Sequence, residues 1–189
     1  MGQLLALTRI IDAILGFIAR TGAIAGLLLV LVVVFDVVTR KMGVNKEALF
    51  GFNSTQFQES EYWLHTFLFT MVIGYAYTQQ AHVRIDLFRD HLRTKAKHFI
   101  EFLGCLLFLI PFSSIMIYYN TRYVIASFYE GEVSASVIGL THIWLHKAML
   151  PAMFVLLLLA ALSQLIKALA GLTGNLPEHM TANTLGEDQ

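Results

Sequence analysis

The chain has 189 residues, of which 57% are hydrophobic and 14% charged, with 13 basic residues against 13 acidic ones. Soluble globular domains carry about 25% charged residues, and a mean hydropathy of +0.65 places this chain in a membrane instead. Balanced charge excludes a nucleic-acid binder, which needs a basic face to displace counterions, and the apolar content excludes a disordered chain.

Residues 1–20 carry Leu4, Leu7, Ile11, Ile14 and Ile18 at spacings of three and four, with Gln3, Thr8, Arg9 and Asp12 between them. This stripe predicts an amphipathic helix that lies in the membrane interface or packs on a partner before the first crossing. A cleavable signal peptide would need a basic start and an earlier apolar stretch.

Four windows then match the hydrocarbon core, which about 20 apolar residues cross as a helix. They are 21–38, 62–81, 102–121 and 148–166, each bounded by charges. Leu27–Phe35 (LLLVLVVVF) and Phe154–Leu162 (FVLLLLAAL) are apolar all round, unlike surface helices of a soluble bundle, which keep a polar face. None of the windows alternates as a barrel strand does. Pro111 falls inside the third window, where its missing donor should disturb the helix; Pro151 falls at the start of the fourth, where that loss costs little. The single cysteine, Cys105, sits in an apolar run as a small hydrophobe.

The outer loop 39–60 is polar and aromatic. The inner loop 82–98 reads as a short amphipathic helix that Asp86 can cap, with Leu87, Phe88, Leu92 and Phe99 on its apolar side. The second outer loop, 122–147, has an apolar middle and Trp144, which suggests a segment dipping to the interface. Five basic residues between Arg84 and Lys97 place that loop, and with it both termini, in the cytoplasm. The fold expected is therefore an all-α integral membrane protein: one four-helix membrane domain over 1–170 with its two amphipathic helices, then a polar, disordered cytoplasmic tail over 171–189.

Charge inside a span is the first place to look for function. Asp36 is the acidic residue inside one, and Arg40, four residues on, can neutralise it; the alternative is a proton or cation site. Glu61 opens the second helix, where an acid complements the positive helix end. Membrane cytochromes hold haem between paired histidines, but His65, His82, His142 and His146 do not fall at matching depth on separate helices. His91 and His98 read as solvated members of the inner loop. Phosphate loops, nucleophile elbows and Cys-x-x-Cys pairs are absent from the sequence, so neither catalysis nor a cofactor is expected.

Two stretches carry a resemblance. Glu59–Phe88 (ESEYWLHTFLFTMVIGYAYTQQAHVRIDLF) has an acid opening a helix, glycine in its middle and then His-Val-Arg-Ile-Asp: Glu61, Gly74, His82, Arg84 and Asp86, with Trp63 in the first turns. Gly131–Leu169 has Gly-Glu-x-Ser (Gly131, Glu132, Ser134), then Trp144, Lys147, Pro151 and a leucine-rich helix. Together these resemble the small membrane subunit, the DctQ-like component, of tripartite ATP-independent periplasmic (TRAP) transporters, over about residues 20–170. Whether Glu59 or Glu61 is the family acid is open, with Glu61 favoured. The resemblance implies a bacterial inner-membrane scaffold subunit without substrate or ion sites of its own. Its partners would be a large DctM-like membrane subunit that moves organic acids with sodium, a periplasmic substrate-binding protein, and lipid. Asp36, Arg40, Glu61, Trp63, Gly74, His82, Arg84, Asp86, Glu132, Trp144 and Lys147 are the candidate interface or topology residues. The rival functions are a haem-binding anchor of a redox enzyme and a small autonomous exporter.

Overall fold

The computed structural model describes residues 2–81, 92–136 and 138–185, and among them all regular structure is helical. Helix α1 runs unbroken over Gly2–Lys41. A turn through Gly43 leads to the short α2 (Lys46–Phe50), and Asn53 caps α3 (Ser54–Thr78) with a reciprocal Asn53–Gln56 capping box. Helix α4 (Thr94–Gly104) passes through a π turn, Cys105–Leu109, into α5 (Ile110–Tyr129). Then come α6 (Ile143–Lys147), α7 (Met149–Leu172) and α8 (Glu178–Leu185).

Three of these bodies are long and apolar enough to cross a membrane: Gly2–Lys41, Thr94–Tyr129 and Ile143–Leu172. Helix α3 has 25 residues, but Tyr, Trp, His and Thr side chains spread along it keep it less apolar than the other three.

The amphipathic stripe of residues 1–20 is not a separate element. It is the first half of α1, and its buried positions Leu5, Thr8, Leu15 and Ala19 continue into Gly22, Ala25 and Asp36. Leu4, Leu7 and Ile14 of that stripe stay exposed, and the face that packs on the chain itself is the one carrying Leu5, Thr8, Leu15 and Ala19. Asp12 accepts from Lys167 Nζ at 2.6 Å and Ser163 Oγ at 2.7 Å, both on α7. Small residues let the helices close up. A Cβ on Gly22 would stand 2.7 Å from Met71 Cβ of α3, and one on Gly74 would stand 2.8 Å from the carbonyl oxygen of Leu156. Helix α7 is thereby the hub, packed against α1, α3, α4 and α5, while α1 lies mainly along α3. The core is small, with Leu15, Leu156 and Ala160 surrounded by Ile11, Ile18, Tyr77 and Leu159. Outside it, Leu27, Val30, Leu31 and Val34 of α1 stay exposed, as side chains do when hydrocarbon is their solvent.

The disturbance expected at Pro111 takes a definite form. The Ile110 N–H reaches back five residues to the Cys105 carbonyl, so the wide turn ends where Pro111 offers no donor. Cys105 is buried, as its apolar neighbours implied.

Two expectations need correction. His98 is 2% exposed rather than solvated; it belongs to α4, which continues into the third apolar body, and its ring fills the space that a Cβ on Gly171 would need. The tail is not wholly disordered. Residues Glu178–Leu185 form α8, and Thr184 and Leu185 are buried. Its anchor is polar: the amides of Gln80 and Gln164 both donate to the Thr184 carbonyl, at 2.8 and 2.7 Å. The first part of the inner-loop helix, 82–91, lies outside the described residues.

Candidate functional site

Most of the residues singled out by sequence gather in three clusters at one end of the bundle, the end where α1 stops and α3 and α7 begin.

The first cluster surrounds Asp36. Its side chain is withdrawn from solvent, 1% exposed, and its two carboxylate oxygens are bound by Arg40 and by Lys46 Nζ. Arg40 is half exposed, whereas the Lys46 side chain is as buried as its partner. Lys46 also donates to the Asp36 carbonyl at 3.3 Å and stands 5.3 Å from the centre of the Phe57 ring, a cation–π distance. The α2 turn makes this possible. Asn45 caps its start and Gly51 ends it in the left-handed conformation, which folds Lys46 back over the end of α1. Phe50 packs edge-on to both Phe35 and Phe57, and those two meet at a tilt, with centroids 5.4 to 6.4 Å apart. The i,i+4 pair was readable from sequence; the Lys46 contact was not, because it crosses a turn.

Glu61 stands close enough to Asp36, Arg40 and Lys46 to feel their charges, and its Oε1 is buried without a hydrogen-bond partner. Glu59 has a different job. Its carboxylate accepts from Ser134 Oγ and from the Leu140 N–H, while Asn53 Nδ2 donates to the Ile138 carbonyl at 2.7 Å. Together they tie the loop between α5 and α6 to the start of α3. The two acids that the sequence left as alternatives thus serve separate clusters: Glu61 the ion cluster of α1, Glu59 the loop.

The third cluster joins Glu132, Lys147 and Trp144. Glu132 accepts from Lys147 and, at 2.6 Å, from Ser127 Oγ. Hydrogen bonds from Lys147 and Ser127 hold the Glu132 carboxyl below the usual carboxylate range. Lys147 also lies 3.9 Å from the centre of the Tyr123 ring, and Trp144 packs edge-on to Phe128 at 5.3 Å. Trp63 stacks on His146 at 5.4 Å between the second and third clusters. Gly74 sits apart, at the α3–α7 crossing. His82, Arg84 and Asp86 lie outside the described residues.

At the other end, sequence reasoning missed the Asp12–Lys167–Ser163 link and the Gln80–Gln164–Thr184 anchor. Their partners are 20 residues apart for Gln164 and Thr184 and more than 100 for the others, and no local spacing signals them. Among the described residues no three His, Cys, Asp or Glu come together as a metal-ligand group. His65 stacks on Phe69 at 5.1 Å, and His142 turns its Nδ1 to Thr141 Oγ1 at 2.9 Å. The clusters therefore brace helix ends: Asp36, Glu59 and Glu132 each have their partners within the chain.

A scan against protein families matches residues 29–171 to the DctQ component of the tripartite ATP-independent periplasmic transporters. No curated protein and no solved structure matches. The matched region runs from the aliphatic part of α1 to the end of α7 and takes in all three clusters, more than half of the chain, so this membrane protein belongs to the DctQ component family of tripartite ATP-independent periplasmic transporters.

Proposed function

We propose that the chain is the small scaffold subunit of a TRAP-type secondary transporter in a bacterial inner membrane. It crosses four times, with α3 as the fourth span, and leaves both termini in the cytoplasm. A DctM-like large subunit carries organic acid with a sodium gradient, and a periplasmic binding protein delivers it. The observation that carries this reading is the way the family's region disposes its charges. Asp36, Glu59 and Glu132 are consumed in contacts that fasten helix ends, while the long faces of α1 and α5 remain apolar and open. A subunit built this way offers rigid surface to a partner and to lipid, whereas ion-coupled sites need polar groups and broken helices at mid-depth. The five basic residues between 84 and 97 support the orientation.

Reconstitution tests the reading. Proteoliposomes holding this chain alone should take up no organic acid under an inward sodium gradient. Adding the large subunit and the binding protein should bring uptake. Sodium-driven uptake by the chain alone would overturn the assignment.

A further inference from the structure

Beneath the loop between α5 and α6 lies a cavity of about 540 Å³ whose lining is almost wholly apolar. Its walls come from Val32 of α1, Trp63, Leu64 and Phe67 of α3, and Met149 of α7, and Leu140 of that loop borders it. Leu140 is fixed there by the bond from its N–H to Glu59. Trp63 and His146 line this cavity and also a second, more polar one of about 290 Å³ that contains Glu59, Glu132 and Ser134. The pair thus stands between an apolar chamber and one that is more polar. There the Nδ1 of His146 is buried and has no hydrogen-bond partner.

We propose that the chamber binds a membrane phospholipid, one acyl chain filling the apolar part and the glycerol ester region meeting His146. Three observations favour that occupant. The chamber is open to its surroundings, and beyond Ser60 and His146 its walls offer water no polar partners. Val32 belongs to the aliphatic run of α1 whose outward side chains Leu27, Val30, Leu31 and Val34 are exposed, so the medium at this level is hydrocarbon. A partner helix, about 10–12 Å across with its side chains, is too wide for a chamber walled by three helices and bordered by a tied loop, and one inserted side chain would leave most of it unfilled. A buried, unpartnered imidazole nitrogen at the boundary between apolar and polar chambers matches the place where a lipid changes from chain to ester.

Trp63 makes the proposal measurable. In the full-length Trp144→Phe chain it is the remaining tryptophan. Phosphatidylcholine brominated midway along its chains, titrated into the purified chain in detergent, should quench Trp63 to a plateau at about one lipid per chain. Leu64→Phe, which shortens the space by part of a chain, should raise the lipid concentration for half-maximal quenching about tenfold, as expelling two methylenes does. His146→Leu should raise it as well, while leaving the plateau unchanged. Quenching that rises with lipid without a plateau, or a plateau unaffected by Leu64→Phe, would overturn the proposal. If Leu64→Phe does not fold, the presence or absence of the plateau in the Trp144→Phe chain decides alone. The same titration on the complex with the large subunit tests the other occupant. A retained plateau supports lipid, and a lost one means that the partner fills the chamber and the proposal fails. None of these outcomes depends on transport.

Discussion

Lys46 closes over Asp36 from ten residues along the chain, and both side chains are withdrawn from solvent to about the same degree. Arg40 meets the same carboxylate from the exposed side. The two cations are therefore unequal. Removing a partner from a buried pair leaves a charge that the interior cannot solvate, at about 3 kcal/mol or more, whereas exposed pairs contribute about 0–1 kcal/mol. Lys46→Met should lower the thermal midpoint of the purified subunit severely, and Arg40→Gln only slightly. Adding Asp36→Asn to Lys46→Met should recover part of the loss, because it removes a buried carboxylate that is left with Arg40 alone. Equal effects of the two single substitutions would mean that the pair is not buried as described.

Close helix contact at Gly74 gives a second expectation. A methyl group there would collide with the Leu156 backbone, which cannot turn aside as a side chain can, so α3 and α7 must separate. Gly74→Ala should cost about 1–3 kcal/mol, as should Gly22→Ala against Met71. Gly104 is the control, because nothing lies within 4 Å of the added atom. There the better helix propensity of alanine should leave stability unchanged or raise it by up to about 1 kcal/mol. Thermal unfolding followed by size-exclusion recovery checks the order.

How much of this was legible beforehand depended on the range of the signal. Apolar runs gave the long helices, because hydrocarbon admits helices and little else. The Asp36–Arg40 pair was legible because four residues make one helical turn, and Pro111 because its missing donor must be absorbed nearby. Glu59 and Glu61 look alike in sequence, and only the return of the loop at Ser134 and Leu140 separates them. The first twenty residues were read as an amphipathic element because their polar side chains were assigned to water. Asp12 instead meets Lys167 from the far end of the chain. His98 misled for the same reason: a histidine among lysines suggests solvent, yet Gly171 on another helix leaves room for its ring. Four crossings remain the proposal, and they rest on α3, whose first turns carry the polar groups that clasp the loops.

Protonation should loosen the loop between α5 and α6. Glu132 is held below its ordinary value of 4.5 by bonds from Lys147 and Ser127. A carboxyl with a lowered folded pKa adds stability that is complete above its unfolded pKa and is lost as pH falls through the folded one. The thermal midpoint of wild type should therefore exceed that of Glu132→Gln at neutral pH, and the two curves should draw together as pH falls from the ordinary carboxylate value through the lowered folded one. Ser127→Ala should shift the same way by less, since it removes one of the two donors. A constant gap between wild type and Glu132→Gln down to the lowest pH reached would show that charge on Glu132 contributes nothing.

The docked tail yields a prediction in which the sign of one mutation depends on another. Gln80, in the turn after α3, and Gln164, on α7, spend their amide donors on a single carbonyl, that of Thr184. Gln164 is fully buried, and its Oε1 has no partner. With α8 in place, Gln164→Leu removes a hydrogen bond and leaves the Thr184 carbonyl with Gln80 alone, a loss of about 1 kcal/mol. Truncation after Asn175 removes the carbonyl and its helix instead, so that in the shortened chain the Gln164 amide has no bond to Thr184 left to lose. There Gln164→Leu exchanges an amide that lacks this bond for a side chain of similar reach and should be neutral or stabilising. A double-mutant cycle on thermal stability, with and without residues 176–189, measures the coupling. Losses of equal size in both backgrounds would mean that α8 does not rest on Gln164. Reversal of sign between them would establish that the end of the chain is held by these two amides, and hydrogen exchange at Thr184 and Leu185 should then slow in the full chain and quicken in Gln164→Leu.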